Sequence, residues 1–141
     1  MIDRFQGKYY WLSNFYPSPI DYKGIIYPTV ENAYQRAKLA KNHVTVHDFA
    51  LLTPNEAKRL GRELDLRPDW DDVKYDVMLE CCCLKFQTHN DLAKRLLATK
   101  DAELIEGNHW GDIYWGVCRG IGENNLGKIL MSIREDLREN S

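Results

Sequence analysis

A carboxylate, a polar or aromatic side chain and an amine recur along one stretch of this chain at the spacing of a helix face. Glu31, Tyr34 or Gln35, and Lys38 stand at positions i, i+3 or i+4, and i+7, so they share a face if the stretch is helical. Such a face is unusual for a core helix and suits acid–base chemistry on a polar ligand. The spacing also fits a glutamate that complements the helix dipole and a solvated lysine, so spacing alone leaves both interpretations open.

Basic side chains outnumber acidic ones in the same part of the chain. Lys58 and Arg62 fall at i and i+4 of the next predicted helix, where they would share a face. Arginine binds phosphate through paired hydrogen bonds and lysine binds it as a point charge, so a phosphate site is one interpretation and two solvated helix faces are the other. Between residues 31 and 62 the basic residues are Arg36, Lys38, Lys41, Lys58, Arg59 and Arg62, and the acidic residues are Glu31, Asp48 and Glu56.

Two aromatic groups offer surfaces on which a base could stack. Trp70 and Lys74 lie one helical turn apart, and a tryptophan beside a cation suits base stacking as well as it suits a core residue. The segment 110–116 combines two tryptophans, a tyrosine, an aspartate and two glycines. Within it, Asp112 is a candidate second carboxylate or else a turn residue, and Trp115 is a candidate ligand contact or else a core ring.

The histidines and cysteines do not form a recognisable metal site or disulfide framework. His43 and His47 stand at i and i+4, but there is no helix signal or third ligand to accompany them. The cysteines at 81, 82 and 83 are consecutive, and helical neighbours point about 100° apart. We therefore expect neither a metal nor a cofactor, and we interpret the cysteines as small thiols in a reducing compartment.

Local signals predict the elements that must position these residues. We expect a strand over Phe5–Tyr10 and a hairpin over Tyr22–Tyr27 that turns at Lys23 and Gly24. The predicted helices begin at Thr29, at the capping box Thr53-Pro54-Asn55-Glu56, at Asp71, at Asn90 and at Asn125. They end near Lys41, Glu63, Gln87, Leu97 and Leu137 respectively. Extended pieces are expected over Glu103–Glu106 and Tyr114–Cys118.

Composition and order indicate an α+β fold, a single compact, mainly helical domain over residues 1–141 with a small N-terminal β element. The formal net charge is -2 at pH 7, so no global basic field predicts nucleic-acid or membrane binding. We find no signal-peptide pattern and no segment of about 20 apolar residues. A cytosolic protein is therefore expected.

Taken together, these segments resemble the NADAR family, also called YbiA-like proteins. The resemblance covers nearly the whole chain in order. One departure is Asn32, which stands where the family pattern has histidine, so no imidazole role is carried over to this position. The matching pieces are LSNFYP at 12–17, YPTVENAYQ at 27–35, AK at 37–38, AKRLGR at 57–62, LRPDW at 66–70, Met78, KF at 85–86, YWG at 114–116 and NLGKILM at 125–131.

The resemblance implies a compact, mainly helical α+β fold and an N-glycosidase acting on ribosylated or phosphoribosylated bases. One branch of the family cleaves phosphoribosylaminopyrimidine intermediates of the riboflavin pathway, and another acts on ADP-ribose linked to guanine in nucleic acid. It implies Glu31 as the catalytic carboxylate, with Asp112 as the second candidate. The predicted substrate-binding residues are Asn14, Phe15, Lys38, Lys58, Arg62, Trp70, Lys74, Trp115 and Asn125.

Breaking a bond between C1′ and nitrogen passes through a sugar with oxocarbenium character, by analogy with glycoside hydrolysis. Glu31 would support that cation or activate water, and Lys38, Lys58 and Arg62 would neutralise phosphate. A binding module for NAD or ADP-ribose derivatives is the alternative. A nucleic-acid guanine de-ADP-ribosylase is a third interpretation, against which the overall acidity argues mildly.

Overall fold

The computed structural model describes residues 1–40 and 48–140 of the chain. Its regular elements are mainly helices, accompanied by two small two-stranded sheets, as the predicted α+β class requires. The helices are α1 (Val30–Ala37), α2 (Pro54–Glu63), α3 (Trp70–Thr88), α4 (Asn90–Ala98) and α5 (Asn125–Glu139). The strands are β1 (Ile20–Tyr22), β2 (Ile25–Tyr27), β3 (Gly107–Asn108) and β4 (Val117–Cys118).

These elements belong to two compact units. The first comprises Met1–Ser13 and His89–Ser141, and the second comprises Asn14–Thr88. The first unit therefore holds α4, α5, β3 and β4, whereas the second holds the hairpin and helices α1 to α3.

In the second unit, the hairpin forms where the sequence predicts it. Strands β1 and β2 are antiparallel, with Ile20 opposite Tyr27. Lys23 and Gly24 both have positive φ values, 54° and 87°, which is the backbone of a tight hairpin turn. The Gly24 N–H also donates to Asp21 Oδ1 at 2.9 Å. Local turn chemistry is thus sufficient to fix this element.

Helix α1 begins as predicted but ends early. The Thr29 hydroxyl oxygen accepts the Asn32 N–H at 3.1 Å and so caps the first turn. The helix ends at Ala37, because Leu39 leaves it to pair with Leu66 in an antiparallel bridge. The predicted end at Lys41 falls outside the described residues.

Helix α2 confirms the predicted capping box. Thr53 accepts the Glu56 N–H at 3.1 Å, and Glu56 accepts the Thr53 N–H at 2.9 Å. Its buried residues are Ala57 and Gly61, whereas Leu60 and Leu64 are only half-buried. The helix therefore turns its smallest residues inward, which permits close packing against α1.

In the first unit, the predicted strand over Phe5–Tyr10 is wrong. The chain instead forms a 3-10 helix over Gly7–Leu12, which begins at a glycine with a φ of 62°. The 3-10 helix directs Trp11 and Leu12 into the core, so burial of these two side chains favours the helical conformation over a strand. The extended pairing lies elsewhere, between Ile2 and Leu104.

Helix α5 buries an apolar stripe in the core of the first unit. Its core residues are Leu126, Ile129, Leu130 and Ile133, whereas Leu137 is half-buried. None of the helices within residues 1–40 and 48–140 has the length and apolar character needed to span a bilayer.

Candidate active site

Glu31 is a buried carboxylate in the first turn of α1. It is 7 % exposed, and its backbone N–H donates to Asn14 O at 3.1 Å. Gln35, one turn later, donates through Nε2 to Glu31 Oε1 at 3.2 Å. The helix N-terminus favours negative charge, and the amide of Gln35 gives the carboxylate a defined orientation.

Three cations accompany this carboxylate. Burial lowers the pKa of Lys38, the negative charge of Glu31 opposes that shift, and the positive charges of Arg62 and Lys58 reinforce it. These interactions require the four charged groups to lie near one another, because electrostatic interaction decays with distance and with screening. The structure therefore brings together the carboxylate and the basic residues that the sequence predicted as a phosphate site.

Helix α2 supplies two of these cations from a very close approach to α1. The Lys58 ammonium lies 5.7 Å from the ring centroid of Phe15, within the range of a cation–π interaction. Gly61 lies against the side chains of Gln35 and Lys38, with no space for a Cβ atom. Arg62 is exposed to solvent, and phosphate binding by these cations stays a prediction.

Helix α3 holds Asn14 from the other side. Asn14 Nδ2 donates to Met78 Sδ at 3.4 Å, and the Cys82 thiol donates to Asn14 Oδ1 over 3.8 Å. Burial raises the pKa of Cys82 to about 12, Lys85 opposes this shift, and Glu31 adds to it. Cys82 is therefore a neutral thiol near neutral pH.

Lys85 is a buried cation that the sequence analysis did not place in the site. Its side chain is 1 % exposed, with Nζ 5.7 Å from the Tyr16 ring centroid and 5.5 Å from that of Phe86. Burial lowers its pKa to about 8, against the opposing effect of Cys82. Lys85 could have been found in the sequence as a lysine one helical turn after Cys82, on a side of α3 that is otherwise apolar.

Trp70 and Lys74 lie at the start of α3. Trp70 is buried, and its ring centroid lies 5.1 Å from that of Tyr34 at an interplanar angle of 58°. Lys74 forms an ion pair with Asp71 at 3.4 Å. Trp70 thus packs on α1 through Tyr34, and base stacking by Trp70 stays a prediction.

The remaining predicted residues cluster in the first unit, just before α5. Asp112 Oδ1 accepts the backbone N–H groups of Tyr114 and Trp115 at 3.2 and 2.9 Å. Asn125 donates through Nδ2 to Tyr114 O at 2.9 Å, and the Leu126 N–H donates to Trp115 O at 3.0 Å. These contacts form a turn that caps α5. Roles for Asp112, Trp115 and Asn125 in catalysis or binding stay predictions.

Asn32, the departure from the family pattern, is fully buried and structural in its contacts. Its Nδ2 donates to Phe49 O and Leu52 O, both at 2.8 Å, and its Oδ1 accepts the Thr29 hydroxyl at 2.6 Å. The side chain joins the start of α1 to the segment before α2. It therefore fixes the helix turn that carries Glu31.

Within residues 1–40 and 48–140, no group of three or more histidine, cysteine, aspartate or glutamate side chains is arranged to hold a metal ion. The predicted pair His43 and His47 falls outside those ranges. None of the four cysteines, all of which lie within the described ranges, forms a disulfide bond.

Comparison with known proteins identifies the family. A NADAR domain model matches residues 3–138. The chain belongs to the NADAR family. Its fold is similar to the NMR structure of Escherichia coli YbiA, with a TM-score of 0.84 and 34% identity, covering 99% of this chain and 88% of that one.

Curated NADAR relatives carry enzyme names. An N-glycosidase of Nostoc punctiforme is 41% identical over 89% of this chain and 84% of its own length. N-glycosidase YbiA of Escherichia coli K12 is 38% identical over 89% of this chain and 79% of its own length. A riboflavin biosynthesis protein of Vibrio vulnificus is 39% identical over 93% of this chain but 36% of its own length. These relatives confirm the predicted reaction class, an N-glycosidase with a glycosylated small-molecule substrate.

Proposed function

We propose that this NADAR protein hydrolyses the bond between C1′ and nitrogen in a phosphorylated ribosyl substrate of the phosphoribosylaminopyrimidine or ADP-ribosyl-base type. One observation supports the proposal above all others. A buried, oriented carboxylate, Glu31, interacts with Lys38, and Lys38 in turn interacts with Lys58 and Arg62. The negative carboxylate suits the developing sugar cation, and the positive side chains suit the phosphate. A phosphorylated ribosyl substrate therefore needs both kinds of charge near each other. The riboflavin name of the Vibrio vulnificus relative agrees with the first substrate type.

The reaction places positive charge on the sugar and transfers the bonding electron pair to the departing nitrogen. In this proposal the Glu31 carboxylate faces C1′, where it stabilises the oxocarbenium character and orients the attacking water. The water oxygen bonds to C1′ as the bond from C1′ to nitrogen breaks. For a phosphoribosylaminopyrimidine, one proton of that water ends on the nitrogen, so the products are a free amine and a reducing ribosyl phosphate. For a positively charged leaving base such as that of NAD, the electron pair neutralises the base, and the proton is released to solvent.

The cations act on the other end of the substrate. Arg62 offers paired N–H donors to phosphate oxygens, and Lys38 and Lys58 add point charges. The Phe15 ring lies within cation–π distance of the Lys58 ammonium, so its loss would loosen a phosphate ligand. The cytosolic location and the absence of a cofactor stay predictions from the sequence.

The test is a chromatographic assay for base release by the purified protein and by Glu31→Gln. The panel contains a phosphoribosylaminopyrimidine, NAD, ADP-ribose and DNA that carries ADP-ribosylated guanine. We expect the parent to release a base from at least one compound and Glu31→Gln to lose at least about 100-fold in kcat. Glu63→Gln, an equivalent change at an exposed position of α2, is the matched control and should retain full turnover.

The panel also separates the alternatives. Release only from modified DNA assigns the protein as a nucleic-acid guanine de-ADP-ribosylase. Tight binding of one compound without release from any of them assigns a binding module and refutes the proposal. Full turnover by Glu31→Gln refutes the role of that carboxylate.

A further inference from the structure

The side-chain amide of Gln35 makes one contact with the candidate catalytic residue and leaves its other polar atom unsatisfied. Nε2 donates to Glu31 Oε1 at 3.2 Å. Oε1 is buried and has no hydrogen-bond partner among the residues that the structure describes. The side chain is 4 % exposed, so bulk water cannot compensate. A buried acceptor without a donor is unfavourable and uncommon.

The observed arrangement persists because the opposite orientation of the Gln35 amide would be less favourable still. Rotation by 180° would exchange the two terminal atoms of Gln35 and place its oxygen against Glu31 Oε1. Two oxygens with negative charge repel at this distance. The hydrogen bond to Glu31 Oε1 therefore favours the observed orientation of the amide over the opposite one.

The backbone of α2 confines the amide on its other side. A Cβ atom added at Gly61 would collide with Gln35 Oε1 and lie 2.8 Å from Lys38 Cε. The contact leaves the amide little room to move away from Glu31 toward α2. It also explains why a glycine occupies the middle of a helix, where glycine is intrinsically unfavourable.

We infer that Gln35 is a positioning residue of the reaction: its amide holds the carboxylate of Glu31 in one orientation, and Gly61 confines that amide on the side of α2. This inference rests on the proposed function, because Gln35 acts there only through Glu31. It requires that turnover depend on Gln35 more strongly than substrate binding does.

The kinetic test uses Gln35→Met, which keeps the length of the side chain and removes both polar atoms. With whichever panel compound the parent hydrolyses, kcat should fall by about 10- to 100-fold because the carboxylate is misplaced, and KM should change little. In a Glu31→Gln background the same substitution should cause no further loss. An unchanged kcat overturns the inference.

A second readout does not need turnover. A hydrogen bond donated by Nε2 stabilises a charged carboxylate more than a protonated carboxyl group. The advantage in thermal stability of the parent over Gln35→Met should therefore diminish as the pH falls into the acidic range in which Glu31 becomes protonated. This pH dependence should vanish in the Glu31→Gln background. The other titratable groups that face this region are common to both proteins and cancel in the difference: Lys38 on α1, Lys58 and Arg62 on α2, and Cys82 and Lys85 on α3.

The two readouts distinguish the failure of this inference from the failure of the proposed function. A stability difference that does not vary with pH overturns the inference, even if the parent is an active N-glycosidase. A pH-dependent difference in a protein that releases no base from any panel compound refutes the proposed function and retains the orientation of Glu31 by Gln35.

Discussion

At the scale of single residues, Asn32 shows how an amide can replace the histidine of a family pattern and serve the fold. Asn32→Asp keeps the shape of the side chain but removes the two donors to Phe49 O and Leu52 O. It also places carboxylate charge against those carbonyl oxygens. We expect a loss of about 2–4 kcal/mol in the free energy of unfolding, measured by urea denaturation.

The control for this prediction is the same substitution at an exposed site. Asn55→Asp lies in the first turn of α2, where negative charge is favourable, and should leave the stability unchanged or slightly increased. If Asn32→Asp is as stable as Asn55→Asp, the hydrogen bonds of Asn32 do not secure the first turn of α1.

Lys85 gives a prediction about pH. Its pKa is lowered by burial from 10.5 to about 8 in the folded protein. Between these values the unfolded chain binds a proton that the folded protein has lost, so stability from this group rises with pH in that window. Relative to Lys85→Met, the parent should gain on the order of 1–3 kcal/mol between pH 8 and 10.5. Denaturant melts of both proteins at several pH values test this, and a constant difference contradicts it.

At the scale of elements, two helical glycines should respond differently to the same methyl group. At Gly61 of α2 an added Cβ meets the flexible ends of Gln35 and Lys38, whereas at Gly127 of α5 it meets the backbone oxygen of Leu104. Gly127→Ala should cost about 1–3 kcal/mol in stability. Gly61→Ala should change stability by less than about 1 kcal/mol, since alanine favours the helix, but reduce kcat by about 10- to 100-fold.

Thermal melts and the base-release assay on both variants test this contrast. Equal loss of stability at the two sites would mean that the approach of α2 to α1 is as rigid as the approach of α5 to Leu104. Full activity of Gly61→Ala would mean that Gln35 and Lys38 need no fixed position.

Elements fixed by contacts between residues close in the sequence were predictable. Elements fixed by contacts between residues distant in the sequence were not. The capping box of α2 and the turn at Lys23 depend on neighbours within three residues, and both are confirmed. The end of α1 depends on pairing of Leu39 with Leu66, which is absent from any local pattern. The 3-10 helix over Gly7–Leu12 likewise reflects burial of Trp11, a tertiary effect.

The same distinction applies to the candidate site. Helical spacing found Glu31 and Lys38, and it also marked Gln35 as a neighbour without identifying its role. Cys82 and Lys85 lie near the site only because of how α3 packs within the second unit, where Lys85 lies beside Tyr16. This packing is a tertiary effect. A lysine on an apolar helix face is the signal by which such a residue can be found in other sequences.

At the scale of the whole molecule, a chain with a formal net charge of -2 concentrates positive charge at one place. Lys38, Lys58 and Arg62 form a local cationic surface that a global charge count conceals. An acidic protein repels anionic ligands in general, so a local cluster gives selectivity for those that fit it. Binding of a phosphorylated product should therefore weaken at high salt, because exposed charges are screened.

This local cationic surface predicts that binding of a ribosyl phosphate raises the thermal stability of the protein. Ribose 5-phosphate at about ten times its Kd should raise Tm by about 3–6 °C through mass action, and unphosphorylated ribose should not. Arg62→Ala should abolish the shift, whereas Arg59→Ala, on an exposed position of the same helix, should retain it. Differential scanning fluorimetry in phosphate-free buffer measures all four cases. A shift that survives in Arg62→Ala would place the phosphate elsewhere on the molecule, and the proposed orientation of the substrate at Glu31 would have to be abandoned.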